Sequence, residues 1–184
     1  MVTNIIIDNL FTDSDINFIN KILIDNHDKI KEDDPDRGRD GLDLREYLEN
    51  SYIHTKVENY IKNKYSDSFY LTGYYYVEYN TKYINPNLPP HSDPTNNILN
   101  LDYQLDANTE WPICANGECF TLKNNQAFAF GAAEQIHWRP HKIFNENEYV
   151  RMIFFHFKDI NNPVLHQVTE EQMRESIPKW KHLL

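Results

Sequence analysis

The sequence predicts a mainly β fold, a sandwich or jelly roll buttressed by helices, on three observations. The first third of the chain carries apolar residues at helical spacing. After Tyr65 it changes to short runs of β-branched and aromatic residues broken by Asn, Pro, Asp and Gly. The 184 residues are 40% hydrophobic and 14% aromatic, with 12 Tyr and 10 Phe, which is enough apolar surface for one substantial core. Helices first and many short strands afterwards fit a layered β architecture.

Taken in order, Thr12 to Ile30 opens with a capping residue and early acids. It then sets Ile16, Ile19, Leu23 and Ile30 on one face, which predicts an amphipathic helix. Lys31 to Asp43 is charged, contains Pro and Gly, and reads as a solvated loop. A second helix is predicted from an Asp43 cap, with Glu46 behind it, through Leu44, Tyr47, Leu48, Val57, Tyr60 and Ile61. The predicted strands are Phe69 to Tyr79, Asn97 to Leu105, Trp111 to Cys114, Cys119 to Leu122, Ala127 to Phe130 and Tyr149 to Phe157. Thr169 caps a closing helix to Trp180. The chain is thus expected to be one domain, with a helical N-terminal segment over residues 1–66, a β core over 67–158 and a C-terminal helix over 168–182.

Twenty-eight acids against eighteen bases give a net charge of -10, which repels phosphate backbones and argues against a nucleic-acid partner. No apolar run approaches the ~20 residues of a membrane-spanning helix, and Met1 to Asn9 lacks a basic flank, so no membrane association and a cytoplasmic location are expected. Cys114 and Cys119 flank a turn-like stretch across which a disulfide is geometrically possible. Compartment alone favours two reduced thiols.

The chemistry concentrates around His91-Ser92-Asp93, set between prolines just before a predicted strand. In extended chain positions i and i+2 share a face, so the imidazole and the carboxylate can converge on one point. His137, beyond the strand Ala127 to Phe130 and the turn at Gly131, offers a third ligand, with His141 as its rival. Two His and one carboxylate leave coordination positions open, as in non-haem iron oxygenases. Arg151 lies within Tyr149 to Phe157, a strand apolar on both faces, where a guanidinium needs an anionic partner. That partner is either an internal acid or a dicarboxylate. His27, His54, His156, His166 and His182 are assigned no role, and Tyr74, Tyr75, Tyr76 and Trp138 read first as packing residues.

Tyr79, the His91-Ser92-Asp93 pair, the strand Asn97 to Leu105, His137-Trp138-Arg139 and Arg151 on the closing strand together resemble the 2-oxoglutarate and iron(II)-dependent oxygenases of the prolyl-hydroxylase-like group. The resemblance implies a double-stranded β-helix (jelly roll) with His91, Asp93 and His137 as catalytic metal ligands. Arg151 or Arg139 would anchor 2-oxoglutarate, with Tyr79 beside it. It further implies Fe(II), 2-oxoglutarate and O2, and hydroxylation of a prolyl or other peptide side chain or of a small molecule, with release of succinate and CO2. A non-catalytic jelly-roll binding module, and a metal-dependent barrel enzyme without 2-oxoglutarate, are the alternatives.

Overall fold

The N-terminal third puts its apolar stripe to use as the wall of a sheet. In the computed structural model, which describes all residues except 1, 35, 36, 84, 85, 87, 95, 163–166 and 184 and the side chain of Asp34, the chain opens with β1 (Ile5–Asp8) and α1 (Asp13–Asp25). Thr12 caps α1: its hydroxyl accepts from the Asp15 N–H, and the Asp15 carboxylate accepts from the Thr12 N–H in return. The helix stops at Asp25, short of Ile30, and a 3₁₀ turn (His27–Lys29) follows. His166, given no role above, lies outside the described residues, as do several positions between Tyr83 and Pro90.

The predicted loop Lys31 to Asp43 is instead a hairpin, β2 (Lys31–Asp34) and β3 (Arg39–Asp43). Its charges are those of an edge strand, which discourages pairing with further chains, and this is why composition conceals it. Gly41 is required there, because a Cβ would meet Asp33 Cβ at 2.8 Å. The second predicted helix is split into α2 (Arg45–Leu48) and α3 (Tyr52–Lys64), since Ser51 rather than Asp43 caps the longer piece by accepting from the His54 N–H. Ile53, Val57 and Ile61 of α3 are fully buried, each contributing roughly 1.5–3 kcal/mol.

The strands follow: β4 (Phe69–Asn80), β5 (Leu88–His91), β6 (Leu99–Ala107), β7 (Ile113–Ala115), β8 (Glu118–Phe120), β9 (Gln126–Phe130), β10 (His137–Arg139) and β11 (Tyr149–Asp159). The chain closes with α4 (Glu170–Ser176), capped by Thr169, and a 3₁₀ helix (Ile177–Leu183). Among the described residues they form two antiparallel sheets: a larger one ordered β1-β9-β6-β11-β4-β3-β2, and a smaller one ordered β5-β10-β7-β8. This is the jelly roll expected from the sequence. Short β1, β5 and β10 carry too few residues for a period to show, and the sequence does not announce them as strands.

Period-two alternation divides the core. Ile153, Phe155 and Phe157 of β11 face α1 and α3, whereas Val150, Met152 and Phe154 join Val77, Tyr79 and Phe128 between the sheets. A third cluster, Cys114, Ile136 and Trp138, lies under Met173 and Trp180 of the C-terminal segment. Cys114 and Cys119 are directly paired across β7 and β8 and form a disulfide, correcting the expectation of reduced thiols: the hairpin register brings them together, which compartment arguments cannot see. No described helix is long and apolar enough to cross a membrane.

Candidate metal centre

Strand pairing builds the centre. His91 ends β5, His137 begins β10, and the two are direct partners in the antiparallel ladder, so their side chains leave the sheet on one face with ring centroids 4.2 Å apart. Asp93, two residues beyond His91, is fixed where its N–H donates to the Ala132 carbonyl at 3.0 Å. Its Oδ1 lies 3.6 Å from Nε2 of His91 and 3.6 Å from Nε2 of His137. Among the described residues these three form a group able to hold a metal ion, with ligand atoms within 4.8 Å of one another. His141 is not in that group; it lies exposed beyond β10.

Each ligand atom is aimed by a bond on its far side. His91 Nδ1 donates to the Pro89 carbonyl at 2.7 Å and His137 Nδ1 to the Gln135 carbonyl at 3.2 Å, which leaves both Nε2 lone pairs toward the centre. Asp93 Oδ2 accepts from the side-chain amides of Asn97 and Asn100, both at 2.8 Å, so that Oδ1 remains for the metal. Burial, with the charge of His137, pushes the His91 imidazole down to about 4, keeping it in the neutral, ligating form. Burial raises the Asp93 carboxyl, yet the neighbouring imidazoles outweigh it and hold Asp93 well below the usual carboxylate range. Two imidazole nitrogens and one carboxylate oxygen suit a divalent first-row metal such as Fe(II).

Of the three basic and aromatic positions named from the sequence, Tyr79 and Arg139 meet around Trp111 and Arg151 lies apart. Tyr79 is fully buried between the sheets, edge-on to Trp111 at 4.8 Å, and its hydroxyl accepts from Arg39 Nη1 at 3.2 Å. Arg139, on the strand that carries His137 and pointing the same way, is buried with its guanidinium 4.9 Å from the Trp111 ring. Its Nη1 donates to the Trp111 carbonyl at 2.6 Å and Nη2 meets Met152 Sδ at 2.7 Å, while Nε has no partner. Among the described residues no carboxylate lies within salt-bridge distance of it. Arg151 takes the opposite face of β11, away from the His91, Asp93 and His137 group. Its Nε donates to Glu78 Oε2 at 2.9 Å, so the anion it required is an internal acid across the strand pair.

A cavity of about 720 Å³ opens over the three ligands. Its walls include Arg39, Asn97, Asn100, Asp102 and His156, to none of which the sequence assigns a functional role. The Asn-Asn-x-x-Asn spacing after Asp93 is a signal, readable only once the turn that folds it back onto the carboxylate is known. Asp102 is fully buried, and burial pushes its carboxyl up to about 7 against the pull of Arg139 and His137.

No family model matches the sequence, and no curated protein does. Solved structures do match in fold. The viral collagen prolyl hydroxylase of Paramecium bursaria Chlorella virus-1, a 2-oxoglutarate complex, aligns with a TM-score of 0.63 at 12% identity over 85% of this chain and 96% of that one. HygX of Streptomyces hygroscopicus, bound to nickel, 2-oxoglutarate and hygromycin B, aligns at 0.62 and 9% identity over 92% and 89%. The prolyl hydroxylase of Trichoplax adhaerens, in complex with a hypoxia-inducible-factor peptide, aligns at 0.60 and 9% over 86% and 84%. The chain therefore shares the jelly-roll fold of prolyl hydroxylases and other 2-oxoglutarate and iron(II) oxygenases.

Proposed function

We propose that this protein is an Fe(II)- and 2-oxoglutarate-dependent dioxygenase that hydroxylates a peptide side chain or a small molecule. The observation that carries the reading is the convergence of His91 Nε2, Asp93 Oδ1 and His137 Nε2 on one point, each oriented from behind and facing a cavity. When bound, the metal and co-substrate supply oxygen activation with decarboxylation to succinate and CO2. The chain's own residues bind and orient. His91, Asp93 and His137 hold the ion, and Asn97 and Asn100 keep Asp93 on one oxygen. Arg139, a buried cation with an unpartnered Nε, takes the far carboxylate of 2-oxoglutarate, with Tyr79 nearby. Val77, Phe128 and Phe154 keep the space between the sheets dry.

Asp102 favours a second reading, a metal-dependent barrel enzyme without 2-oxoglutarate, because its carboxyl acts on Arg139 from inside the same core. Anaerobic titration separates the two. Fe(II) followed by 2-oxoglutarate should give the visible metal-to-ligand charge-transfer band of keto-acid chelation, and aerobic turnover should release succinate. His91→Ala and Asp93→Ala should lose both signals. Iron binding without the band selects the second reading, and full turnover in either variant refutes the site.

A further inference from the structure

Strand β11 continues past the metal. Phe154, His156 and Lys158 all line the cavity, and Lys158 stands roughly 7 Å beyond His156 along the strand. His156 is closely seated: its ring lies over Gly73 of β4, where a Cβ would meet His156 Cβ at 2.9 Å and Nδ1 at 3.1 Å, and it rests 5.3 Å from the Tyr75 ring. Among the described residues neither ring nitrogen has a hydrogen-bond partner, and the Lys158 ammonium has neither a hydrogen bond nor an ion pair. Arg45 reaches the same wall from α2, its Nη2 donating to the Thr72 carbonyl at 2.8 Å, while Thr72 Oγ1 donates to the His156 carbonyl at 3.2 Å.

Charge gives these positions a direction. The chain has 28 acids to 18 bases, yet the cavity lining holds four of each, the bases being Arg39, Arg45, Lys158 and the already partnered Arg37. Of the acids, Asp93 belongs to the candidate ligand group, Asp102 is deeply buried and Asp33 is already held by Arg39 at 2.7 Å, which leaves the exposed Glu49. A volume of about 720 Å³ falls in the ~300–1,000 Å³ range of small-molecule sites. We infer that the outer cavity binds the oxyanion of a small acidic substrate, a carboxylate or phosphate, with Lys158 and Arg45 as counter-charges and His156 as the adjoining hydrogen-bonding group. The inference rests on the oxygenase reading of the same cavity and names its substrate class.

The test begins with metal-free protein titrated calorimetrically with inorganic phosphate and, separately, acetate. Wild type should saturate with at least one, and the preferred probe tells phosphate from carboxylate. Lys158→Gln should weaken binding about tenfold. Gly73→Ala, which displaces the His156 ring, should also weaken it. Lys142→Gln, whose ammonium serves Thr109 elsewhere, should not. Binding unaffected by Lys158→Gln, or no binding of either anion, overturns the inference. With Fe(II) loaded, small acids should raise 2-oxoglutarate consumption more than their amides or alcohols; stimulation by the neutral set alone also overturns it. The titrations need neither metal nor co-substrate, so anion binding without a charge-transfer band sinks the oxygenase reading, and the reverse sinks only this one.

Discussion

Arg139 and Arg151 sit in apolar strands a dozen positions apart, on the order of one hairpin of chain, yet their electrostatic surroundings are opposite. Arg151 faces outward from the sheet interior, directly across from Glu78 and near Asp106, with its side chain 41% exposed. Arg139 faces the space between the sheets, fully enclosed, touching a carbonyl, a thioether and an indole face, with the buried Asp102 acting on it from beyond salt-bridge distance. Strand parity and cross-strand neighbours, not the apolar character of the segment, decide which arginine is ion-paired by the fold and which is not.

This contrast is most exposed to refutation at Arg139. Arg139→Gln should raise the KM for 2-oxoglutarate by on the order of 100-fold, equivalent to about 3 kcal/mol of lost charge-assisted bonding, while Fe(II) binding persists. Steady-state succinate assays with a parallel metal titration check it, and an unchanged KM would return the anchor to Arg39 or elsewhere. Next in size, Asn100→Ala should cost roughly 10–100-fold in Fe(II) affinity by freeing Asp93 Oδ2, read by competition with a chelator. Asp102→Asn isolates the charge that faces Arg139. The folded carboxyl, raised to about 7 from 3.8, keeps a proton that the unfolded chain releases, so native stability falls as pH rises from about 4 to about 7. The asparagine variant should remove that slope and gain at least ~1 kcal/mol above pH 7, a rise in Tm of roughly 2–4 °C by calorimetry. The smallest effect belongs to Arg151→Gln. Its half-exposed pair with Glu78 is worth about 0.2–1 kcal/mol, and KM should move by less than about 3-fold.

Much of the fold is legible in the sequence because long segments carry a clear period. β4, β6 and β11 fall close to their predicted ranges, and Thr12 and Thr169 cap the helices they are expected to cap. The segment Lys31 to Asp43 misleads because an edge hairpin rich in charge has the composition of a loop, and Arg39 is hidden with it. At the site, His91 and Asp93 are legible through the alternation of an extended chain, whereas the choice of His137 over His141 depends on its pairing with His91 across two short strands. Arg151 misleads because its sequence neighbours are apolar and its acid, Glu78, is distant in sequence. The spacing of Asn97 and Asn100 becomes readable only with the turn after Asp93, and His156 gains its place only from the cradle at Gly73.

The Cys114–Cys119 bridge bears on how the protein must be handled. Cys114 is buried on β7, paired with Trp138, the neighbour of His137, while Cys119 is exposed on β8. On the proposed Fe(II) reading the protein would be assayed with an added reductant, and a dithiol would open this staple behind the strand of His137 through its accessible sulfur. Ascorbate, which keeps iron ferrous without thiol exchange, is therefore the reductant of choice. If the proposed activity is found, its fall on changing from ascorbate to dithiothreitol would report the small sheet's mechanical support.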